Sequence, residues 1–413
     1  MDIFRVFRAL PVAVRLLLVN QLAGNVGFYM LIPFLADYLL DDVGLSLATV
    51  GVVLAVRNLT QQGLFLVGGS AADRLGARGV IVVGILIRAV GFGLFAVGGS
   101  FLVVLLAAAL TGFAGALFNP AVRAYIAADS GQRRAEAFAL FNVFGNVGSM
   151  AGPVLGIWLM GLGFRPTAVI AAGIFATLTM AQFLVLPSRR AEPTVTSVIG
   201  DLREVVANRA FWAFALALVA MFALQSQIYF ILTLQAQQVS GTRAAAPAVA
   251  SLFVTETVVS IAFQVRITRR FARHPARGPA IALGLAVMGL AFLVPPTGAS
   301  VLPSVPGDGP LAVATRLAPV LVAALVLATG IMIAQPFVNE LIPSLGSRRL
   351  TGTYFGAFYL LAGLATICLT PLVGAAIAAT GDALAWGPGL ICATAGVASA
   401  AAILLLHRRG GIP

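Results

Sequence analysis

The chain has no lysine and is poor in the residues that usually build catalytic or metal sites: 2 cysteines, 2 histidines and 14 acidic residues among 413. Cys368 and Cys392 fall in separate apolar stretches, which excludes a disulfide framework and leaves no metal-ligand spacing. Neither histidine lies in an apolar stretch, and no nucleotide-binding loop, G-x-S-x-G or H-E-x-x-H pattern occurs. We therefore expect no metal and no cofactor, and a membrane-embedded enzyme is disfavoured.

Apolar residues dominate what is present. They make up 60% of the chain and charged residues only 10%, a composition far from that of soluble globular proteins. Runs of roughly 20 apolar residues, long enough to cross a bilayer as a helix, recur about twelve times. This predicts an all-α polytopic membrane protein, because membrane strands are too short and too alternating in polarity to explain such runs. The predicted spans, numbered 1 to 12, cover residues 12–37, 45–68, 79–98, 101–125, 137–160, 167–187, 211–236, 246–268, 279–297, 313–338, 350–376 and 384–406.

The net charge of +12 comes entirely from arginine. Most arginines fall in loops on one side of the predicted spans, whereas the other side holds little beyond Arg165, Arg243 and Arg316. This bias follows the positive-inside rule and predicts an inner (cytoplasmic) membrane protein with both termini in the cytoplasm. The basic excess therefore reflects topology, and we expect no nucleic-acid partner.

The chain divides into two related halves. Asn25 and Tyr29 correspond to Gln225 and Tyr229 at an offset of about 200 residues, and later matches lie about 216 apart. We attribute the added residues to an enlarged outer loop at 295–310, whose prolines and glycines do not suit a helix interior. The predicted domains are a six-helix bundle over 1–187, a cytoplasmic linker over 188–210 and a second bundle over 211–413.

A short charged loop joins spans 2 and 3 with the spacing G-x-x-x-D-R-x-G-x-R, formed by Gly69, Asp73, Arg74, Gly76 and Arg78. The glycines permit close helix approach and a tight turn, Asp73 can accept hydrogen bonds at a helix end, and the arginines can bind carboxylates or lipid phosphate. The loop resembles the signature of the major facilitator superfamily, which implies two pseudo-symmetric six-helix bundles and a latch for the outward-facing state. The alternative is a solvated charged turn.

Span 5 carries the run G-x-x-x-G-P-x-x-G, in which Gly148, Gly152 and Gly156 share one helix face beside Pro153. The run resembles the motif of the antiporter branch of that superfamily, and the resemblance implies export in exchange for protons. A plain packing interface is the alternative.

An arginine stands in the middle of span 2, within Arg57-Asn58-Leu59-Thr60-Gln61. A charge at that depth usually lines a polar cavity or pairs with an acid, and Arg57 and Gln61 share a face. Together with Arg88 in span 3, this stretch resembles the MdtH-like multidrug exporters. For Arg88, an ion pair or a carbonyl-capping role remains open.

Few acids lie inside the spans. Glu256 is the deepest and is the leading candidate for carrying a proton; at the repeat offset it falls opposite Arg57. Asp37 and Glu340 are further candidates nearer the span ends. Many exporters of this type carry an acid in span 1, whereas the buried polar positions of this span are the amides Asn20, Gln21 and Asn25. A permanently paired, structural Glu256 is the alternative.

Two polar stripes on spans 1 and 7 are candidates for contacting a substrate. They comprise Gln21, Asn25 and Tyr29 and, in the second half, Gln225, Tyr229 and Thr233. The resemblance implies that these spans face a central cavity, which we expect Arg57, Gln61 and Gln335 to line as well. Interhelical hydrogen bonding is the alternative role for each stripe.

The sequence therefore favours a monomeric exporter of hydrophobic or amphipathic small molecules, such as a drug, antibiotic or secondary metabolite, driven by proton antiport across the lipid bilayer. Uptake or exchange of a specific organic anion is the rival, with Arg57 and Arg88 supplying the countercharge.

Overall fold

The computed structural model describes residues 2–187, 197–273, 276–301 and 309–410. Every regular element within these ranges is helical, so the predicted all-α fold is confirmed. Residues 188–196 of the predicted linker and 302–308 of the predicted outer loop lie outside the described residues.

Among the described residues, 11 helical segments are long and apolar enough to cross a membrane, and one bent pair of helices makes a twelfth. The predicted count is confirmed, and the protein is a multi-pass membrane protein. Spans 1 to 12 are Val12–Asp42, Leu47–Gly63 with Phe65–Leu75, Ala77–Val97, Phe101–Asp129, Gly131–Met160, Phe164–Val185, Arg209–Gly241, Pro247–Ala272, Gly278–Val301, Pro310–Ser344, Arg348–Thr380 and Trp386–Arg408.

Several spans are interrupted by short turns. Span 2 bends by 45° between its two helices. Span 1 continues from Val12–Tyr29 through the short elements Ile32–Phe34, Leu35–Asp37 and the π-helical turn Tyr38–Asp42. Span 7 consists of Arg209–Ala217, Val219–Ser226 and the π-helical turn Ile228–Leu232, followed by a helix from Thr233 that breaks at Gly241, where φ is 67°.

Within the described residues, two further helices lie outside the spans: Asp2–Ala9 and Val198–Ala207. Serine side chains cap several helix starts, because a hydroxyl oxygen can accept a hydrogen bond from an N–H that has no partner in the first turn. Ser197, for example, accepts from the Gly200 N–H at 3.0 Å at the start of Val198–Ala207.

The prediction of a loop over 295–310 is wrong for its first part, because Val294–Val301 is helical. Pro295 and Pro296 occupy the first turn of that helix, where a missing N–H and a fixed φ are tolerated.

The chain forms two compact units. The first comprises Met1–Asn208 and Asn339–Leu360, and the second comprises Arg209–Val338 and Leu361–Pro413. The helix Val198–Ala207 and the adjoining ends of spans 10 and 11 therefore belong to the first unit. The boundaries drawn from the sequence at 187 and 211 stay a prediction.

Spans 1 and 5 pack closely within the first unit. A Cβ added to Gly148 would collide with the Leu22 carbonyl, one on Gly152 would lie 2.7 Å from the Tyr29 Cβ, and one on Gly156 would meet the Met30 carbonyl at 2.5 Å. All three glycines thus face span 1. Because they have no side chains, they set how closely the polar residues of span 1 approach span 5.

Candidate functional site

The turn between spans 2 and 3 depends on Gly76. This residue ends the helix Phe65–Leu75 and begins Ala77–Val97 with φ 88° and ψ 132°, a conformation that favours glycine. Gly69, about two turns earlier along span 2, lies against the Gly352 backbone, where a Cβ would collide with the Gly352 carbonyl. These two glycines bring Asp73 to the start of the helix Thr351–Thr380.

Asp73 caps that helix. Its carboxylate accepts hydrogen bonds from the backbone N–H groups of Gly352 and Thr353 and from the Thr353 hydroxyl, each at 2.7 Å. The first N–H groups of a helix lack intrahelical acceptors and carry partial positive charge, so a carboxylate is well suited to this position. The contact joins span 2 to span 11 within the first unit.

An ion-pair network lies beside this cap. Asp201, whose side chain is 1% exposed, accepts from Arg74 and, at 2.6 Å, from Arg349. Arg349 also donates to Glu204 at 2.9 Å. We call the latch network the seven residues Asp73, Arg74, Asp201, Glu204, Arg349, Gly352 and Thr353. It connects three segments that are remote in sequence.

Arg78 takes a different partner from the carboxylate or lipid phosphate considered from the sequence. It donates to the Phe183 carbonyl at 2.6 Å, and its guanidinium lies 5.5 Å from the Phe183 ring centroid. Arg78 therefore links the turn to the end of span 6.

A second arginine-centred network lies in the same unit and was not predicted. Arg123 donates to the Asn119 carbonyl at 3.0 Å, and its guanidinium lies 4.4 Å from the Tyr359 ring centroid. The Tyr359 hydroxyl donates to Asn339 at 3.0 Å.

Arg57 and Gln61 lie together on span 2. The Arg57 guanidinium donates to the Gln61 side-chain oxygen at 3.3 Å and to that of Asn58 at 2.9 Å. It also lies 4.6 Å from the centroid of the Phe28 ring on span 1. The polar part of span 2 thus meets an aromatic face.

Arg88 on span 3 points into the same group. Its guanidinium lies 5.8 Å from the centroid of Phe28, 5.8 Å from that of Phe118 and 5.6 Å from that of Phe175. Within the described residues Arg88 forms no hydrogen bond, and neither Arg88 nor Arg57 is paired with a carboxylate. The ion pair left open for Arg88 is therefore not seen.

The stripe residues Gln21, Asn25 and Tyr29 of span 1 face span 5 and are half-buried. Asn25 donates to the Gly145 carbonyl at 2.9 Å, and a Cβ on Gly145 would lie 3.3 Å from the Gln21 side-chain nitrogen. Tyr29 stacks edge-on against Phe28 at 5.1 Å. Asn25 thus forms an interhelical hydrogen bond, which is the alternative to substrate contact for this stripe.

The corresponding positions of span 7 lie in the second unit. The π-helical turn Ile228–Leu232 disturbs the repeat of four, because a π turn takes up more residues than an α turn. Tyr229 is exposed and packs 5.2 Å from Phe253, Thr233 donates back to the Ile228 carbonyl at 2.8 Å, and Gln335 donates to Gln225 at 3.5 Å.

Glu256 lies in span 8 of the second unit and is half-buried. No described residue of the second unit forms a hydrogen bond or an ion pair with its carboxylate. A titratable group in this position can exchange a proton without first breaking a salt bridge within that unit.

The other two acids lie in different surroundings. Asp37 is exposed at the end of the short helix Leu35–Asp37. Glu340 is half-buried and directly follows Asn339, the acceptor for Tyr359. The structure does not bring Asp37, Glu256 and Glu340 together within one unit.

Comparison with known proteins identifies close relatives. The profile of the Major Facilitator Superfamily matches residues 17–370. An uncharacterised transporter of that type from Mycobacterium tuberculosis is 40% identical over 392 residues, covering 94% of this chain and 91% of the relative. The multidrug resistance protein MdtH of Aeromonas hydrophila is 30% identical, with 92% of each chain covered.

Two solved structures share the fold. The fucose:proton symporter of Escherichia coli has a TM-score of 0.74 at 15% identity and covers 95% of this chain and 98% of its own. A human organic anion transporter has a TM-score of 0.67 at 19% identity with the same coverage.

Proposed function

Since the chain belongs to the Major Facilitator Superfamily, whose members are transporters rather than enzymes, we propose that it exports hydrophobic or amphipathic small molecules by proton antiport. The names of its MdtH relatives support multidrug export, as does the glycine face of span 5, which resembles the antiporter motif. The protein would act as a monomer in the inner membrane with both termini in the cytoplasm.

Proton coupling rests on one observation, the unpaired carboxylate of Glu256 within a membrane-spanning helix. Ionisable groups at this depth are costly and usually functional. A group without a permanent partner can bind a proton in one conformation and release it in the other, which is what antiport requires.

Alternating access needs two conformations of comparable free energy. The latch network supplies contacts that favour one of them, because its charge-assisted hydrogen bonds join spans 2 and 11 and the helix Val198–Ala207. Opening it would cost free energy that substrate or proton binding must offset.

The rival function is the uptake or exchange of a specific organic anion. Arg57 and Arg88 favour it, since both lie in spans and neither has a carboxylate partner in the described residues. Such a carrier would move its substrate without proton movement in the opposite direction.

Proteoliposomes containing the purified protein and a trapped pH-sensitive dye test the proposal. Three probes share one aromatic core and differ in charge: pyrenebutyrate, pyrenebutanol and pyrenebutyl-trimethylammonium. We expect at least one of them to drive proton release that exceeds the release from protein-free liposomes. Proton release by none of the three would refute proton antiport.

Variants assign the coupling residue. Glu256→Gln should abolish probe-driven proton release while preserving probe-for-probe exchange, because exchange needs no proton transfer. Glu256→Asp keeps a titratable group and should retain partial coupling. Asp37→Asn and Glu340→Gln are matched controls that should stay coupled. Full coupling in Glu256→Gln would exclude Glu256 as the carrier.

A further inference from the structure

Two guanidinium groups lie close together in the membrane-spanning part of the first unit. Arg57 and Arg88 contact the same ring, with their central carbons 4.6 and 5.8 Å from the Phe28 centroid, and they are near enough for their charges to repel each other. Two like charges at this depth are unfavourable unless an anion or a hydrogen-bond acceptor compensates them.

The surrounding protein supplies little compensation. Arg57 donates to two neutral amide oxygens, those of Asn58 and Gln61, and Arg88 makes no hydrogen bond within the described chain. Arg88 instead lies among the rings of Phe28, Phe118 and Phe175. Aromatic faces attract a guanidinium only weakly compared with a carboxylate, and they leave its five donors unsatisfied.

A glycine lets span 4 approach these donors closely. Gly115 on span 4 faces the group, and a Cβ at that position would lie 3.0 Å from the Gln61 side-chain carbon and 3.1 Å from an Arg88 nitrogen. The site thus combines planar cationic donors with apolar rings, which are the two features that recognise an aromatic molecule bearing an acid.

We propose that the first unit binds the carboxylate of an aromatic, amphipathic substrate at Arg57 and Arg88, with the apolar part of that substrate against the phenylalanines. This proposal rests on the proposed export function and narrows its substrate class to acid-bearing aromatic compounds, zwitterions included. A guanidinium and a carboxylate form paired, charge-assisted hydrogen bonds, so the acid group fixes the orientation of the substrate.

Equilibrium binding of the pyrene probes to the purified protein tests the proposal. Binding is followed by energy transfer from the native tryptophans, and the buffer contains excess sodium chloride so that a site for simple inorganic anions is already filled. The measured quantity is the ratio of the dissociation constants of pyrenebutanol and pyrenebutyrate, which removes differences in micelle partitioning when variants are compared.

The parent should bind the acid about tenfold or more tightly relative to the alcohol. Arg88→Gln should reduce this preference to about twofold or less. Gln61→Glu should do the same while keeping both arginines, because a carboxylate at position 61 would pair with Arg57 in place of the present 3.3 Å contact. Arg316→Gln, which removes a half-buried arginine from span 10, should leave the preference unchanged.

An equal affinity of the parent for acid and alcohol would overturn the proposal, as would a preference that survives in folded Gln61→Glu. Thermal unfolding identifies a variant that fails to fold, and Gln61→Glu keeps the test decisive if Arg88→Gln is unstable. Acid preference without proton release by any probe would refute antiport and leave the binding site standing. Proton release without acid preference would refute the proposed binding site and leave antiport standing.

Discussion

The cap that Asp73 places on span 11 can be tested by Asp73→Asn. The aspartate carboxylate satisfies two backbone N–H groups and one hydroxyl at 2.7 Å each. An asparagine has only one acceptor oxygen. Its NH2 group would therefore face one of the backbone N–H groups, and two donors cannot form a hydrogen bond with each other. The change also removes a negative charge from a helix N-terminus.

The expected loss follows from these contacts. A hydrogen bond to a charged group contributes about 1.5–3 kcal/mol, and an interaction with a helix terminus adds roughly 0.3–1 kcal/mol. Because the asparagine oxygen retains part of the contact, we expect a net loss of about 2–3 kcal/mol for the capped state. This corresponds to a shift of roughly 30- to 150-fold in the equilibrium between closed and open caps.

Hydrogen exchange measures this equilibrium at the amides concerned. The N–H groups of Gly352 and Thr353 are in the first turn of Thr351–Thr380, so Asp73 is their acceptor in place of an intrahelical carbonyl. In Asp73→Asn a peptide covering residues 346–358 should contain two amides that exchange roughly 30- to 150-fold faster than in the parent.

A matched control removes only the hydroxyl contact. Thr353→Val keeps both backbone contacts to Asp73 and should accelerate exchange by about tenfold or less. If both amides already exchange freely in the parent, or if Asp73→Asn leaves their rates unchanged, the cap does not stabilise span 11 and the reasoning is refuted.

Three further variants and one control, Gly173→Ala, test the packing and charges of the first unit by thermal unfolding. Gly148→Ala should destabilise the protein by about 1–3 kcal/mol, because the new Cβ would collide with span 1. In the control Gly173→Ala the new Cβ meets nothing within 4 Å, so this change should be neutral or stabilising by up to about 1 kcal/mol. Equal losses of stability in the two variants would contradict the packing argument. Gly76→Ala should cost about 1–3 kcal/mol because of its φ of 88°, and an unchanged midpoint would show that the turn relaxes. Asp201→Asn should cost about 2–3 kcal/mol, since it leaves two arginines without their shared buried carboxylate; an unchanged unfolding midpoint would show that this carboxylate makes no net contribution to stability.

Composition and hydrophobic run length sufficed to predict the helical fold and the number of spans. They did not predict the 45° bend in span 2 or the π-helical turns at Tyr38–Asp42 and Ile228–Leu232. These features change the helix face on which a residue lies without changing how apolar the helix is. For this reason the stripe expected on span 7 is interrupted, whereas the glycine face of span 5 lies on one side as expected from its spacing.

In each polar site, contacts between residues close in the sequence could be predicted, and contacts between residues far apart in the sequence could not. The contact between Arg57 and Gln61 follows from helical spacing. Asp201 lies 127 residues from Arg74, and Thr353 lies 280 residues from Asp73, so no periodic pattern connects them. The one available signal was the spacing of Asp201 and Glu204, which places two acids on one face of a short helix behind a serine cap.

Uphill accumulation of a probe is the most direct test of proton-driven export. Proteoliposomes with a lumen one pH unit more acidic than the outside, held at zero membrane potential, store about 1.4 kcal/mol per proton, enough for a tenfold gradient in one-for-one exchange. Proton antiport predicts that a transported pyrene probe accumulates up to about tenfold inside and leaves when nigericin collapses the gradient. Equal probe concentrations on both sides, with or without the gradient, would contradict the account.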